Sequence, residues 1–368
     1  MTATANMHDL PLKLRVKKIL EAQGYHCPLE VELSHFENQD ARQNLKKDLL
    51  TDIDVLGIRF EADLRQTMVV ADCKSGKVSE ANRMFWLRGL MDFFQAQEGI
   101  FVKPQTHAQT RALAPKLGIR VLDEKGLLIL EKNLGLDSST FLGRELELYE
   151  RMEVLWGIRL EEKQSLSQSQ QDLKSVYNYL QYNYWMVDDY VNIQTIIDRF
   201  AKVSHDMNPS ELKSKYLACI GLQRLSLSII KMASYVAAQD LNDVARLFRI
   251  AFFGGTYQMR KSKQIIEYLD YLSDLNRVGE KLDLEPPYFS ELVEIVNRIV
   301  LNSRHAIAVL RHLDVVITEH LFGSKQDLEK VLGYTYSTEA IVLMKRIAAM
   351  FVKYTKMQEG VFENLWDL

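Results

Sequence analysis

Cysteine is scarce. Cys27, Cys73 and Cys219 stand far apart in 368 residues, which excludes a disulfide framework and a zinc knuckle. Neither CxxC nor HExxH occurs, so zinc sites of those types are not encoded. The absence of a GxxxxGK[ST] loop excludes an ATP motor of that class. No uninterrupted apolar run approaches the ~18 residues that mark a membrane helix, and no membrane span is expected. MTATANMHDLP lacks the apolar centre of a signal peptide, so a reducing cytoplasm is the expected compartment. A formal charge of −3 excludes a polycation, while leaving room for a local basic face, because phosphate contacts need only a few placed cations. No fixed-period repeat appears, which disfavours a solenoid.

What is present suits two domains of different class. LKLRVKKILEAQ (residues 12–23) carries Leu12, Leu14, Val16, Ile19 and Leu20 at amphipathic-helix spacing, with Gly24 as its stop. YHCPLEVELS (25–34) alternates as a half-buried strand. Residues 35–49 read as a polar loop with at most a helical turn. Residues 53–60 and 67–71 form a strand pair, and MVVA is apolar throughout, as a strand covered on both faces should be. Ser79 introduces a helix with Phe85, Leu87, Leu90, Met91 and Phe94 along its stripe. A strand at 100–102, a helix at 106–117 disturbed at Pro115, and a strand at 119–122 complete the order α-β-β-β-α-β-α-β. This predicts an α+β domain over residues 1–132, a mixed sheet flanked by helices.

EKNLGLDSST ends that pattern, and residues 133–171 read as a linker containing a helix and the polar run SLSQSQQ. Residues 172–368 form an all-α domain, with helices near 172–186, 189–204, 209–237, 239–253, 256–276, 288–322, 325–333 and 337–360. Asn208-Pro209, Gly254-Gly255, Pro286-Pro287 and Gly323-Ser324 punctuate them.

The chemistry concentrates in TDIDVLGIRFEADLRQTMVVADCKSGK, Thr51 to Lys77. Asp52 and Asp54 open one apolar run and Asp72 ends the next. Asp54 and Asp72 then sit on neighbouring strands, their side chains converging at one edge of the hairpin. Period-2 geometry puts Asp72 and Lys74 on one face. Carboxylates that hold a divalent cation beside a lysine suit phosphodiester hydrolysis, which needs an activated water and charge stabilisation on the phosphate.

The pattern T-D-I-D-V-L-G followed by V-V-A-D-C-K, with this element order over about residues 10–130, resembles the PD-(D/E)xK nuclease superfamily and its restriction-endonuclease-like fold. The resemblance implies a nuclease dependent on Mg²⁺, with Mn²⁺ as a substitute and DNA as the expected substrate. Asp54 would be the first metal ligand, Asp72 the second acid and Lys74 the catalytic lysine, with the Cys73 carbonyl as a backbone ligand. Asp52 would assist Asp54. Family members often place an acid on the first helix, where Glu21 is the candidate; Glu30 and Glu32 lie on the first strand. Relatives also use the region around Gln105 and His107 for polar support. The alternative is a nuclease fold without activity that binds nucleic acid or protein.

Lys77, Arg83 and Arg88 follow the site, and SGK leads to a helix N-terminus that suits a phosphate. In the helical part Arg260, Lys261 and Lys263 form the densest basic run and are the second candidate nucleic-acid surface. Arg298 with His305, and Arg199 with His205, resemble the short motif of HEPN-type ribonucleases. The helical domain is expected to recognise nucleic acid, to dimerise or to hold the nuclease in check. A homodimer or a partner protein of a prokaryotic defence or restriction system fits that role.

Overall fold

In the computed structural model the described residues are 9–36, 47–156, 167–239, 243–276, 284–323 and 327–368. The first part has α1 (Leu10–Ala22), β1 (Leu29–Phe36), β2 (Lys47–Phe60), β3 (Gln66–Cys73), α2 (Glu80–Phe94), β4 (Glu98–Val102), α3 (Ala108–Leu113) and β5 (Ile119–Leu122). The order matches the sequence reading. The five strands lie in the sheet as β1-β2-β3-β4-β5. The first three pair antiparallel, and β3, β4 and β5 run parallel.

Alternation along β3 divides the core. Val69, Ala71 and Cys73 pack with Val16, Ile19 and Leu20 of α1. Met68 and Val70 pack with Met84, Leu87 and Met91 of α2. The sheet is thus covered on both faces, which is why MVVA is apolar without a break. Gly24 sits at φ +86°, where a side chain would strain the turn out of α1.

Three elements of this first part depart from expectation. β1 begins at Leu29 and runs to Phe36, and β2 begins at Lys47, because the hairpin continues through Ser34–Leu49 and Phe36–Lys47 after an irregularity at Leu33/Ser34. The expected loop at 35–49 is therefore strand at both ends, and its centre lies outside the described residues. A helix, α4 (Glu124–Asn133), was not expected; Asp123 caps it by accepting from the Gly126 N–H. It is pinned to α1 by Arg15, which donates to Glu131 and Glu124 at 2.7–2.9 Å.

Helices make up the remainder: α5 (Ser138–Trp156), α6 (Gln168–Gln181), α7 (Asp189–Val203), α8 (Leu212–Ala237), α9 (Val244–Phe252) and α10 (Thr256–Asn276). They are followed by α11 (Phe289–Leu301), α12 (Ser303–Val315), α13 (Leu328–Leu332), α14 (Thr338–Thr355) and α15 (Glu363–Trp366). The expected helix 288–322 is broken at Asn302, whose backbone leaves the helical region (φ −133°, ψ 53°), and it continues beyond α12 as a π-helical stretch, Val316–Phe322. α8 is buried almost throughout and forms the centre of the bundle. The helix expected within 133–171 is α5. It packs against α1, and its Glu145 reaches Lys18 at 2.7 Å while Arg144 pairs with Glu319 of the π-helical stretch. One apolar cluster runs from the α2 face of the sheet into the bundle.

Candidate active site at the strand ends

The register of the sheet builds the site. The last β2–β3 pair is Val55–Ala71, and one step further the same register sets Asp54 opposite Asp72. On the other side Val31–Ile53 and Leu29–Val55 bracket Glu30 and Asp54. Three carboxylates therefore stand in one row across three strands. Glu30 reaches it from a left-handed backbone, φ +51°, which is uncommon for a residue with a side chain and marks local strain.

Cations alternate with the carboxylates. Lys13 of α1 hydrogen-bonds Glu30 and places Nζ 2.8 Å from Asp54 Oδ1. Lys74 Nζ lies 2.9 Å from Asp54 Oδ2 and 3.2 Å from Asp72 Oδ1. Arg83 of α2 donates through Nε to Asp72 Oδ2 at 2.8 Å and through Nη2 to Oδ1. Its guanidinium stacks on Trp86 at 3.7 Å. Asp54 Oδ2 also accepts the Cys73 N–H at 2.7 Å. Asp54 and Asp72 are 2% and 0% exposed, so these contacts act with little screening by water.

Burial opposes the charge on Asp54, but Lys13 and Lys74 hold its carboxyl below the usual range. Burial wins at Asp72, whose carboxyl is pushed up despite Arg83 and Lys74. Burial also raises Glu30 against the pull of Lys13. At Lys74 burial is outweighed by Asp54 and Asp72, so the ammonium is held charged. The Cys73 thiol is buried and pushed far up by burial and by Asp54 and Asp72, which disfavours the reactive thiolate.

The donor set fits a hard divalent cation. Carboxylate oxygens of Glu30, Asp52 and Asp54 lie within 4.8 Å of one another. Asp54 Oδ1 is buried and has no hydrogen-bond donor, since the Lys13 ammonium is close to it but poorly aligned. Asp72 stands on the other side of Lys74.

The structure brings Lys74 to Asp54 and Asp72, and Asp52 near Asp54. Glu21 lies elsewhere, two helical turns beyond Lys13, where it pairs with Lys17, Lys18 and Arg311. Gln105 is exposed. Next to it Glu80 gathers Lys103, Thr110 Oγ1 and the His107 N–H. Ser79 takes the N-cap position of α2 without a capping hydrogen bond. Arg83 is engaged by Asp72, whereas Lys77 is exposed and Arg88 pairs with Asp92. Arg260, Lys261 and Lys263 are exposed on α10.

The ribonuclease-like pairs are tied into local contacts: Arg298 with Glu294, His305 with Ser337, Arg199 with Ser175 and His205 with Asp206. Lys13 was missed. It lies between Leu12 and Leu14, and only its spacing from Val16 and Leu20 put it on the inward side of α1. Compared with protein-family models, curated proteins and solved structures, the chain matches none.

Proposed function

We propose that the strand-end site hydrolyses phosphodiester bonds with a divalent cation, Mg²⁺ or Mn²⁺, and that the protein is a nuclease acting on DNA. The observation that carries this reading is the meeting of Asp54, Asp72 and Lys74 within 3.2 Å, although Asp54 is separated from the other two by most of a β-hairpin. The resemblance of TDIDVLG and VVADCK to the PD-(D/E)xK pattern agrees with it.

Asp54, with Glu30 and Asp52 within reach, would hold the cation, which when bound lowers the pKa of a water and draws charge from the phosphate. Lys74, held charged between the two aspartates, is placed to neutralise a phosphate oxygen. Asp72 fixes Lys74 from the far side, and Arg83 fixes Asp72. Exposed Lys77 lies beside the site and can meet the substrate backbone.

The test incubates plasmid, linear and single-stranded DNA, and RNA, with Mg²⁺, Mn²⁺ or EDTA. Cutting that needs the metal and is lost in Asp72→Ala and Lys74→Ala supports the reading. Cutting that survives both substitutions refutes it.

One observation favours a second reading, a site that binds without cutting: Lys13 already places an ammonium among Glu30 and Asp54, where a cation would sit. Metal-independent binding of every substrate with no cleavage would select it.

A further inference from the structure

A cavity of about 460 Å³ lies between α1, the start of β1, α5, α6 and α8. That volume is in the range of small-molecule sites, roughly 300–1,000 Å³. Arg224 of α8 lines it and is 4% exposed. Its guanidinium lies 4.6 Å from the Trp185 ring centroid and 5.5 Å from that of Tyr184. Nε and Nη1 are closed off there without a hydrogen-bond acceptor. No carboxylate among the described residues forms an ion pair with Arg224, although it lines the cavity.

Asp314, the carboxylate on the same wall, is already taken by His26, Gln223 and Arg311 at 2.8–3.2 Å. His26 lines the cavity too, with Nδ1 on Asp314 and Nε2 lacking a partner. A buried guanidinium with no counter-charge is costly, and an anionic ligand would offset that cost.

The remaining lining defines the rest of the ligand. Tyr149, Tyr177, Tyr182 and Tyr216 give the cavity an aromatic wall that suits a planar group. Glu30, held by Lys13, and Glu145, held by Lys18, join Glu32 in the lining and oppose a second or third negative group on the ligand.

We propose that this cavity binds a nucleoside monophosphate, its phosphate on Arg224 and its base among the tyrosines. Such a ligand would touch Glu30, which also grips Lys13 of the acidic site. Binding itself requires neither metal nor cleavage, so it stands or falls apart from the proposed nuclease activity.

The experiment is calorimetric titration of the full chain with AMP, GMP, CMP and UMP in EDTA, and with the matching nucleosides. At least one monophosphate is expected to bind, with its nucleoside weaker by roughly tenfold or more, the effect of one charge-assisted contact. Arg224→Met should weaken binding by roughly 10- to 100-fold. The fold should survive that change, since replacing an unpaired buried charge by an apolar side chain of similar size is tolerated. Val154→Trp, at an exposed lining position, should block entry with Arg224 untouched. The proposal is overturned if none of the four binds at about 5 mM, a far weaker affinity than a built site gives. It is equally overturned if a folded Arg224→Met or Val154→Trp protein binds as well as the wild type.

Discussion

Lys13 Nζ lies 2.8 Å from Asp54 Oδ1, so the first helix delivers its own cation into the acidic row. Lys13 is 1% exposed and held charged, with Asp54 and Glu30 outweighing the cost of burial. Its removal leaves the buried Asp54 and the half-buried Glu30 each short of a partner. Lys13→Met should therefore lower stability by roughly 3 kcal/mol in EDTA. A divalent cation can then take the ammonium's place at Glu30, Asp52 and Asp54. Thermal melts should show Mg²⁺ raising the midpoint of the variant more than that of the wild type. An equal rise in both would mean that Lys13 does not stand where the metal binds.

Asp72 and Arg83 give a prediction about pH. The Asp72 carboxyl is raised by burial even with Arg83 in place. A raised acid in the folded state binds protons that the unfolded chain has lost, so its contribution to stability falls as pH rises above the ordinary carboxylate value. Arg83→Met removes the strongest restraint on that shift. The stability gap between wild type and variant should widen from pH 4 to pH 7, to roughly 2 kcal/mol. Adding Asp72→Asn should close most of the gap, because the uncompensated charge is then gone. Denaturant titrations of the four proteins across that pH range measure it.

The α+β order was readable because its signals are local. An unbroken MVVA next to turn signals suits a covered strand, and the apolar stripe after Ser79 suits a helix. The convergence of Asp54, Asp72 and Lys74 was readable because strand alternation and hairpin register are nearly forced. Lys13 was not, because a lysine within an amphipathic helix reads as solvated until tertiary packing turns it inward. The left-handed backbone at Glu30 leaves no mark in the sequence, since glutamate does not favour that conformation. Asn302 breaks the helix after α11 without a glycine or proline such as Pro209, Gly254 or Pro286, which is why 288–322 reads as one. Helix α4 is not read because the segment between the last strand and EKNLGLDSST is short, although Asp123, three residues before Gly126, is a capping signal.

Packing inside the helical part is tested at Gly221. A Cβ there would stand 2.4 Å from Cζ of Phe200, which is itself fully buried and edge-on to Phe351. Neither ring can yield without moving α7 or α14 away from α8. Gly221→Ala should cost roughly 1–3 kcal/mol as an overpacked core, against the usual helical gain of alanine over glycine. Phe200→Leu in the same background should recover part of the loss, and urea titration reads both. A neutral Gly221→Ala would mean that α7 and α8 are not in this close contact.

Glu80 anchors the first turn of α2 to the end of β4. Burial disfavours its charge, but Lys103 Nζ at 2.6 Å, Thr110 Oγ1 and the His107 N–H bring the carboxyl down to about 2 from 4.5. A lowered carboxyl contributes stability that is fully present above pH 4.5 and is lost as pH falls toward 2. The contribution at neutral pH is roughly 2–3 kcal/mol, one pKa unit being about 1.4 kcal/mol. Glu80→Gln keeps an acceptor for Thr110 but gives up the charge that holds Lys103. The variant should be less stable than the wild type by about that amount at pH 7. The two proteins should converge as the pH is lowered through 4.5 toward 2, which denaturant titrations at several pH values measure. A gap that stays constant over that window would assign the cost to lost packing around Thr110 rather than to the ion pair.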